Sequence, residues 1–128
     1  MPVRIVRLGS PRHLHEGLRI GTVRRPPRGV PKPRYASENW FDVWFPNLAP
    51  SLEAMKSGRA ASTDVELRSF KKKYRAEMSV ADAARSIALL AALSHSANFS
   101  VGCYCEDEAR CHRSVLKQLL AEAGAKLV

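Results

Sequence analysis

Three side chains able to act as nucleophiles or soft metal ligands, and one imidazole, crowd into a ten-residue window: Cys103, Cys105, Cys111 and His112. Arg113 follows directly, and the chain has no other cysteine. Four chemistries compete for such a set. Three thiolates and one imidazole match the ligand set of a structural zinc ion. The usual Cys-x-x-Cys pair is missing, however, and adjacent Cys111 and His112 are poorly spaced to share one ion, so no metal site is expected. A second reading makes Cys103 or Cys111 a nucleophile, with His112 as base and Arg113 holding an anionic substrate. A helix start beneath Cys111 would lower its pKa, whereas Glu106, Asp107 and Glu108 would raise it. The Cys-x5-Arg spacing of cysteine phosphatases is absent, because Arg110 follows Cys105 by only five positions. Third, His112 and Arg113 at a helix N-terminus can bind a phosphate or carboxylate without covalent chemistry. In the fourth and plainest reading the cysteines are small buried hydrophobes. His112 then donates to a backbone carbonyl, and Arg113 pairs with an acid of the turn.

The elements that carry these residues can be read outward from the window. In Asn98–Cys105, Phe99, Val101 and Cys103 alternate with Ser100, Gly102 and Tyr104, which predicts a strand with Cys103 and Cys105 on one face. After the acidic turn, Val115, Leu116, Leu119, Leu120 and Ala123 mark the inner face of a last helix, and Gly124 suits its C′ position. Strand, turn and helix in this order point to parallel α/β architecture, in which ligands sit beyond the carboxyl ends of the strands.

At the other end of the chain, Val3–Leu8 and Leu18–Val23 read as strands, expected to pair with each other across the Pro11–Gly17 loop. Gly21 marks a bulge or a close backbone approach. Residues 24–34, RRPPRGVPKPR, hold five cations and four prolines, a composition that fits an extended basic loop. It reads either as an anion clamp or as a solvated linker. Ser37 or Asn39 can cap a short helix carrying Trp40, Phe41, Trp44 and Phe45, ended by Pro46. The aromatics are expected to anchor the core, with base stacking as the alternative. Ser51 can cap a short segment over Leu52–Lys56.

Two clearer helices follow. Thr63 and Glu66 form a capping box ahead of Leu67, Phe70, Tyr74 and Met78 on one face. Lys71, Lys72, Lys73 and Arg75 occupy the others. Ser79 opens the next helix, with Val80, Ala83, Ala84, Ile87, Leu90 and Leu93 expected on its buried face.

The formal net charge is +9 over 128 residues. It is unevenly spread, since residues 1–34 carry nine Lys/Arg against Glu16 alone and the remainder is nearly neutral. A local basic field of this kind attracts nucleic acid or small anions. No early apolar run resembles a signal peptide, and no stretch approaches the roughly 20 apolar residues that cross a bilayer. An odd number of cysteines without such a signal predicts free thiols and a cytoplasmic location.

Pro27-Arg28-Gly29-Val30-Pro31-Lys32, then Trp44 and Leu48-Ala49-Pro50-Ser51, then Phe70-Lys71-Lys72-Lys73-Tyr74-Arg75-Ala76-Glu77, recur here as ordered landmarks. With Cys103-Tyr104-Cys105-Glu106 and Cys111-His112-Arg113-Ser114, they make the chain resemble the YeaO-like family, domain of unknown function 488. The resemblance spans nearly the whole chain. It implies a compact α/β domain and brings no established activity. Where many relatives show an Asp-Arg-Leu-Trp run, this chain has Val23-Arg24-Arg25-Pro26. A role that needs that carboxylate is therefore not expected here, while Arg24 and Arg28 keep their places.

The expectation is a single compact α/β domain over residues 1–128, a small mostly parallel sheet flanked by helices. Its site lies at the turn 103–113, closed over by the basic loop 24–34. Arg24, Arg28, His112 and Arg113 are the candidate contacts to an anionic ligand, a nucleotide or other phosphate-bearing molecule. Cys103, Cys111 and His112 are the catalytic candidates if a cysteine-dependent hydrolase or transferase operates instead. Nucleic acid is the alternative partner. No membrane, metal or cofactor is expected.

Overall fold

The structure, a computed structural model, describes residues 2–128. Four parallel strands, β1 (Val3–Arg7), β2 (Leu18–Gly21), β3 (Val43–Trp44) and β4 (Phe99–Cys103), form one sheet in the order β1-β4-β2-β3. Among the described residues, four α-helices flank the sheet: α1 (Leu52–Ala60), α2 (Asp64–Glu77), α3 (Ala81–Leu93) and α4 (His112–Glu122). No helix among the described residues is long and apolar enough to cross a membrane.

β4 is buried at all five positions, as a central strand covered on both faces must be. On one face Val3, Ile20, Phe99 and Val101 meet Tyr74 and Met78, Ile87 and Leu90, and Val115, Leu116 and Leu120. These side chains come from the α2, α3 and α4 segments, so three helical stretches share one side of the sheet. The opposite face carries Arg19, Gly21, Ser100 and Gly102 and is covered by loops. Phe41 packs there against Gly21, where an added Cβ would lie 2.4 Å from the Phe41 ring. The close backbone approach expected at Gly21 is therefore made by an aromatic ring.

Two expectations about the N-terminal half are corrected. β1 and β2 do not pair, because β4 lies between them and bonds to both, Val101 standing beside Ile5 and Ile20. The aromatic stretch forms no helix either. Its residues turn through Asn39, in the left-handed region at φ 65, and Val43–Trp44 then adds to β2 as an edge strand. Asp42 explains the choice, since its carboxylate accepts from the Arg19 backbone N–H at 2.7 Å and from Arg12 at 2.9 Å. A helix through Trp40–Phe45 would remove Asp42 from the strand edge and Phe41 from the core.

The helix signals fare better at their starts than along their faces. Thr63 caps α2 as expected, accepting from the Glu66 N–H at 3.2 Å, and Ser51 caps α1 through Ala54 N–H. Thr63→Ala is expected to lower stability by about 1 kcal/mol, read as a reduced urea midpoint at unchanged slope. Ser79 does not open α3. Its hydroxyl donates back to Ala76, and Val80 precedes the helix with no side-chain cap. The buried stripe of α3 is Ala83, Ile87, Leu90 and Ala91, whereas Val80, Ala84 and Leu93 are exposed. A 3.6-residue period rotates Ala84 and Leu93 past the contact line once Ala83 and Leu90 face inward. Leu67 is half-buried and Ala123 exposed, while Gly124 sits at φ 90 past the end of α4.

α1 extends a full turn beyond the expected Lys56. Gly58 allows this, because a side chain there would meet the Phe70 ring of α2 at 2.9 Å. The basic loop is also less extended than expected. It turns at Gly29, with φ 72, and closes into a 3-10 turn over Lys32–Arg34.

Candidate functional site

The carboxyl ends of β1, β2 and β4 open into a cleft of about 670 Å³, the position that parallel sheets generally offer to ligands. Three segments build it. The end of β1 supplies Arg7 and the loop after it Gly9, the basic loop after β2 supplies Arg25 and Arg28, and α1 supplies Lys56 and Arg59. Leu52, Met55, Lys56 and Arg59 all line it because spacings of three and four place them on one helical face. Trp40 and Tyr104 complete the wall, packed edge to face with ring centres 5.9 Å apart.

Among the described residues, no carboxylate lines this cleft. Arg7 is paired weakly with Glu106 at 3.5 Å, while Arg25, Arg28, Lys56 and Arg59 have no ion-pair partner among the described residues. Four uncompensated cations around a concavity with apolar walls create a strong positive potential.

A smaller hollow of about 260 Å³ adjoins the cleft and shares Val23, Met55, Arg59 and Tyr104 with it. Cys103, Cys105, Cys111 and His112 line its inner side. Although Cys111 and His112 are neighbours in sequence, both reach the same point. The sulfurs of Cys103 and Cys111 and a ring nitrogen of His112 lie within 4.8 Å of one another. The Cys105 sulfur is 3.7 Å from that of Cys103. Cys103, Cys111 and His112 are buried, and Cys105 is exposed.

Neighbouring groups set the charge distribution in this cluster. Hydrogen bonds from the Cys103 and Cys111 thiols hold Cys105 down to about 3 against the upward push of burial, with the Arg113 guanidinium adding to the lowering. Cys103 is pushed far up, chiefly by its contacts with Cys105 and Cys111. Cys111 is lowered, chiefly through Cys103, with His112 contributing. Within the cluster the thiolate is therefore favoured most at Cys105 and least at Cys103.

The candidate residues are distributed unevenly. Arg28 lines the cleft and His112 lines the adjoining hollow. Arg24 and Arg113 line neither. The Arg24 Nε donates to the Pro50 carbonyl at 2.9 Å, and Arg113 is buried, donating to the Cys105 carbonyl at 2.6 Å. Arg113 thus holds the turn from behind, and no acid of the turn pairs with it. Nor do Lys71–Lys73 line the cleft, and Lys73 is paired with Glu53 at 2.7 Å.

Lys56, Arg59 and Tyr104 were not legible as site residues. Arg59 lies past the expected end of its helix, and nothing local to Lys56 says which segment its face meets. Tyr104 had one available signal, its place between two cysteines at the end of a buried strand.

Residues 3–124 match the family model DUF488-N3a, described as the active DUF488-N3 subclade. No curated protein and no solved structure matches the chain.

Proposed function

Given that the chain belongs to the active DUF488-N3 subclade, we propose that it binds a nucleotide or another phosphate-bearing small molecule in the basic cleft. The observation that carries this reading is a cleft lined by four uncompensated cations and no acid. Arg25 and Arg28 on the loop and Lys56 and Arg59 on α1 approach it from two sides, an arrangement suited to clamping phosphate. Its volume falls in the usual range for small-molecule sites, and the Trp40 and Tyr104 rings offer an apolar surface to a base or sugar. Within this reading His112 and Arg113 act indirectly, by shaping the floor of the site, and Arg24 anchors the loop to Pro50.

Isothermal titration at low salt with nucleoside mono- and diphosphates is the direct test. Binding is expected for the phosphorylated compounds and is expected to be much weaker for the bare nucleosides. Arg28→Ala and Arg59→Ala should each weaken it by about 10- to 100-fold, the range for a charged hydrogen bond. If the wild type binds none of these ligands, or binds nucleosides equally well, the reading fails. A third outcome would also overturn it: tight oligonucleotide binding with a steep salt dependence that is lost on neutralising Lys71–Lys73 and kept in Arg28→Ala.

A further inference from the structure

The cluster beneath the cleft has a geometry that packing alone does not require. Cys103 ends β4, Cys111 is the residue before α4, and His112 is its first residue, so three backbone positions fixed by the fold converge. In a tetrahedral zinc site with Zn–S near 2.3 Å and Zn–N near 2.0–2.1 Å, sulfurs lie about 3.8 Å apart and sulfur lies about 3.6 Å from nitrogen. Here Cys111 Sγ is 3.5 Å from His112 Nδ1, and the donor atoms of Cys103, Cys111 and His112 lie within 4.8 Å of one another. Cys105 Sγ stands outside that trio, 3.7 Å from Cys103 Sγ, and must swing in to complete the set.

The imidazole is already set for coordination. His112 Nε2 lies 2.9 Å from the Thr22 carbonyl oxygen, which can only accept, so Nε2 carries the proton. Nδ1 is then the bare nitrogen, and it faces the thiols. A metal-bound histidine characteristically donates its other N–H to a carbonyl in this way, which fixes both tautomer and ring orientation. Tyr74 packs edge-on against the ring at 5.1 Å and restrains it further.

We propose that Cys103, Cys111 and His112, with Cys105 as fourth ligand, bind a zinc-class divalent ion. Three thiolates and one imidazole form a soft to borderline donor set, which favours zinc over magnesium or calcium. The exposed Cys105 provides the route of entry, and the three buried ligands provide rigidity. With four protein ligands the site is closed and its role structural. Tyr104 lies between two of the ligands, lines the cleft and donates from its hydroxyl to the Arg25 carbonyl at 2.9 Å. Loading the ion therefore stiffens the aromatic wall and the base of the basic loop together.

The test uses the full chain, reduced and stripped with a chelator, then titrated with cobalt(II) and competed with zinc(II). One cobalt per chain is expected, with the intense visible bands of tetrahedral coordination and a thiolate charge-transfer band, both abolished by zinc. Cys105→Ser should keep tetrahedral coordination with the charge-transfer intensity lowered by about a third, as one of three thiolates is removed. Cys111→Ser should weaken binding by at least about 100-fold, no less than the loss of an outer-shell partner.

Because Cys111→Ser can also disturb folding, a second readout uses the wild type alone. Zinc should slow alkylation of all three thiols, and a chelator should restore it. Weak octahedral cobalt bands would overturn the proposal, as would alkylation that zinc leaves unchanged. So would a purified chain that has lost two hydrogens to a disulfide and takes up no metal after reduction. Arg28→Ala should bind cobalt like the wild type, so failure of the ion site and failure of the cleft reading are separately visible.

Discussion

Glu16→Ala is expected to destabilise the protein by about 3–5 kcal/mol, because it leaves the Arg19 guanidinium charged and buried without its counter-ion. Arg19 is 0% exposed, the largest fully buried side chain of the molecule. Its Nε and Nη2 donate to the two carboxylate oxygens of Glu16 at 2.7 and 2.9 Å, and Nη1 donates to the carbonyls of Ser10 and Asn39. Ser100 Oγ and the His13 N–H also donate to Glu16. The network joins β2, β4 and both loops that cover this face of the sheet, so its loss reaches past one contact. A Glu16→Ala, Arg19→Met double variant should cost clearly less than the sum of the two single changes, since no orphaned charge remains. A single-variant loss below about 1 kcal/mol by urea denaturation would show that the pair is not sealed from water.

The same carboxylate predicts acid sensitivity. Burial, the largest influence, pushes the Glu16 pKa up, but hydrogen bonds from Arg19, Ser100 and His13 outweigh it and hold the group near 2, below an ordinary value of 4.5. Its folded pKa lies below its unfolded one, so the contribution is fully present above pH about 4.5. It is lost as pH falls toward about 2, an effect on the order of 2–3 kcal/mol. Glu16→Ala should flatten the stability profile across that window. An unchanged profile would assign the acid limb to other carboxylates.

Leu116→Ala should cost about 3–4 kcal/mol, in the middle of the range for buried leucines. Leu116 is 0% exposed and packs with Leu120 and Val115 into the cluster that seats the helices on β4. A helix seated from both ends has little freedom to collapse into the space left behind, so the transfer and cavity costs add. Leu119, one position from Leu120 and only partly buried, gives the control, and Leu119→Ala should cost less than half as much. Because α4 starts at His112, partial unseating should also loosen the thiol cluster. Cys103 and Cys111 should then be alkylated faster in Leu116→Ala than in Leu119→Ala. Equal rates would mean that the helix start is held independently of its core.

Local signals were legible where a few neighbouring residues decide the outcome. The Thr63–Glu66 cap, the alternation that makes β4, the apolar stripe of α4 and Gly124 at its end all depend on spacing within one or two turns. The place of the thiol-bearing turn at the carboxyl end of a parallel strand followed from strand–turn–helix order alone. The aromatic stretch was misread for the same reason. Its helical spacing is real, but Asp42 bonded to the Arg19 N–H and Phe41 packed on Gly21 outweigh it, and both partners are about 20 residues away.

The amino-acid sequence by itself determined the α/β class, the caps and the residue types available for chemistry, because periodicity and capping act through contacts a few residues long. Only the tertiary structure decided that β4 separates β1 from β2 and that Arg19 and Glu16 are sealed inside. It also decided that Lys56 and Arg59 face Arg25 and Arg28 across a cleft. Those outcomes rest on contacts between residues tens of positions apart, and the free energy of burying one segment against another does not appear in either segment alone. The cysteine window shows both sides. Its composition is plain in the sequence, while the meeting of Cys111 and His112 at one point depends on how α4 begins against Thr22.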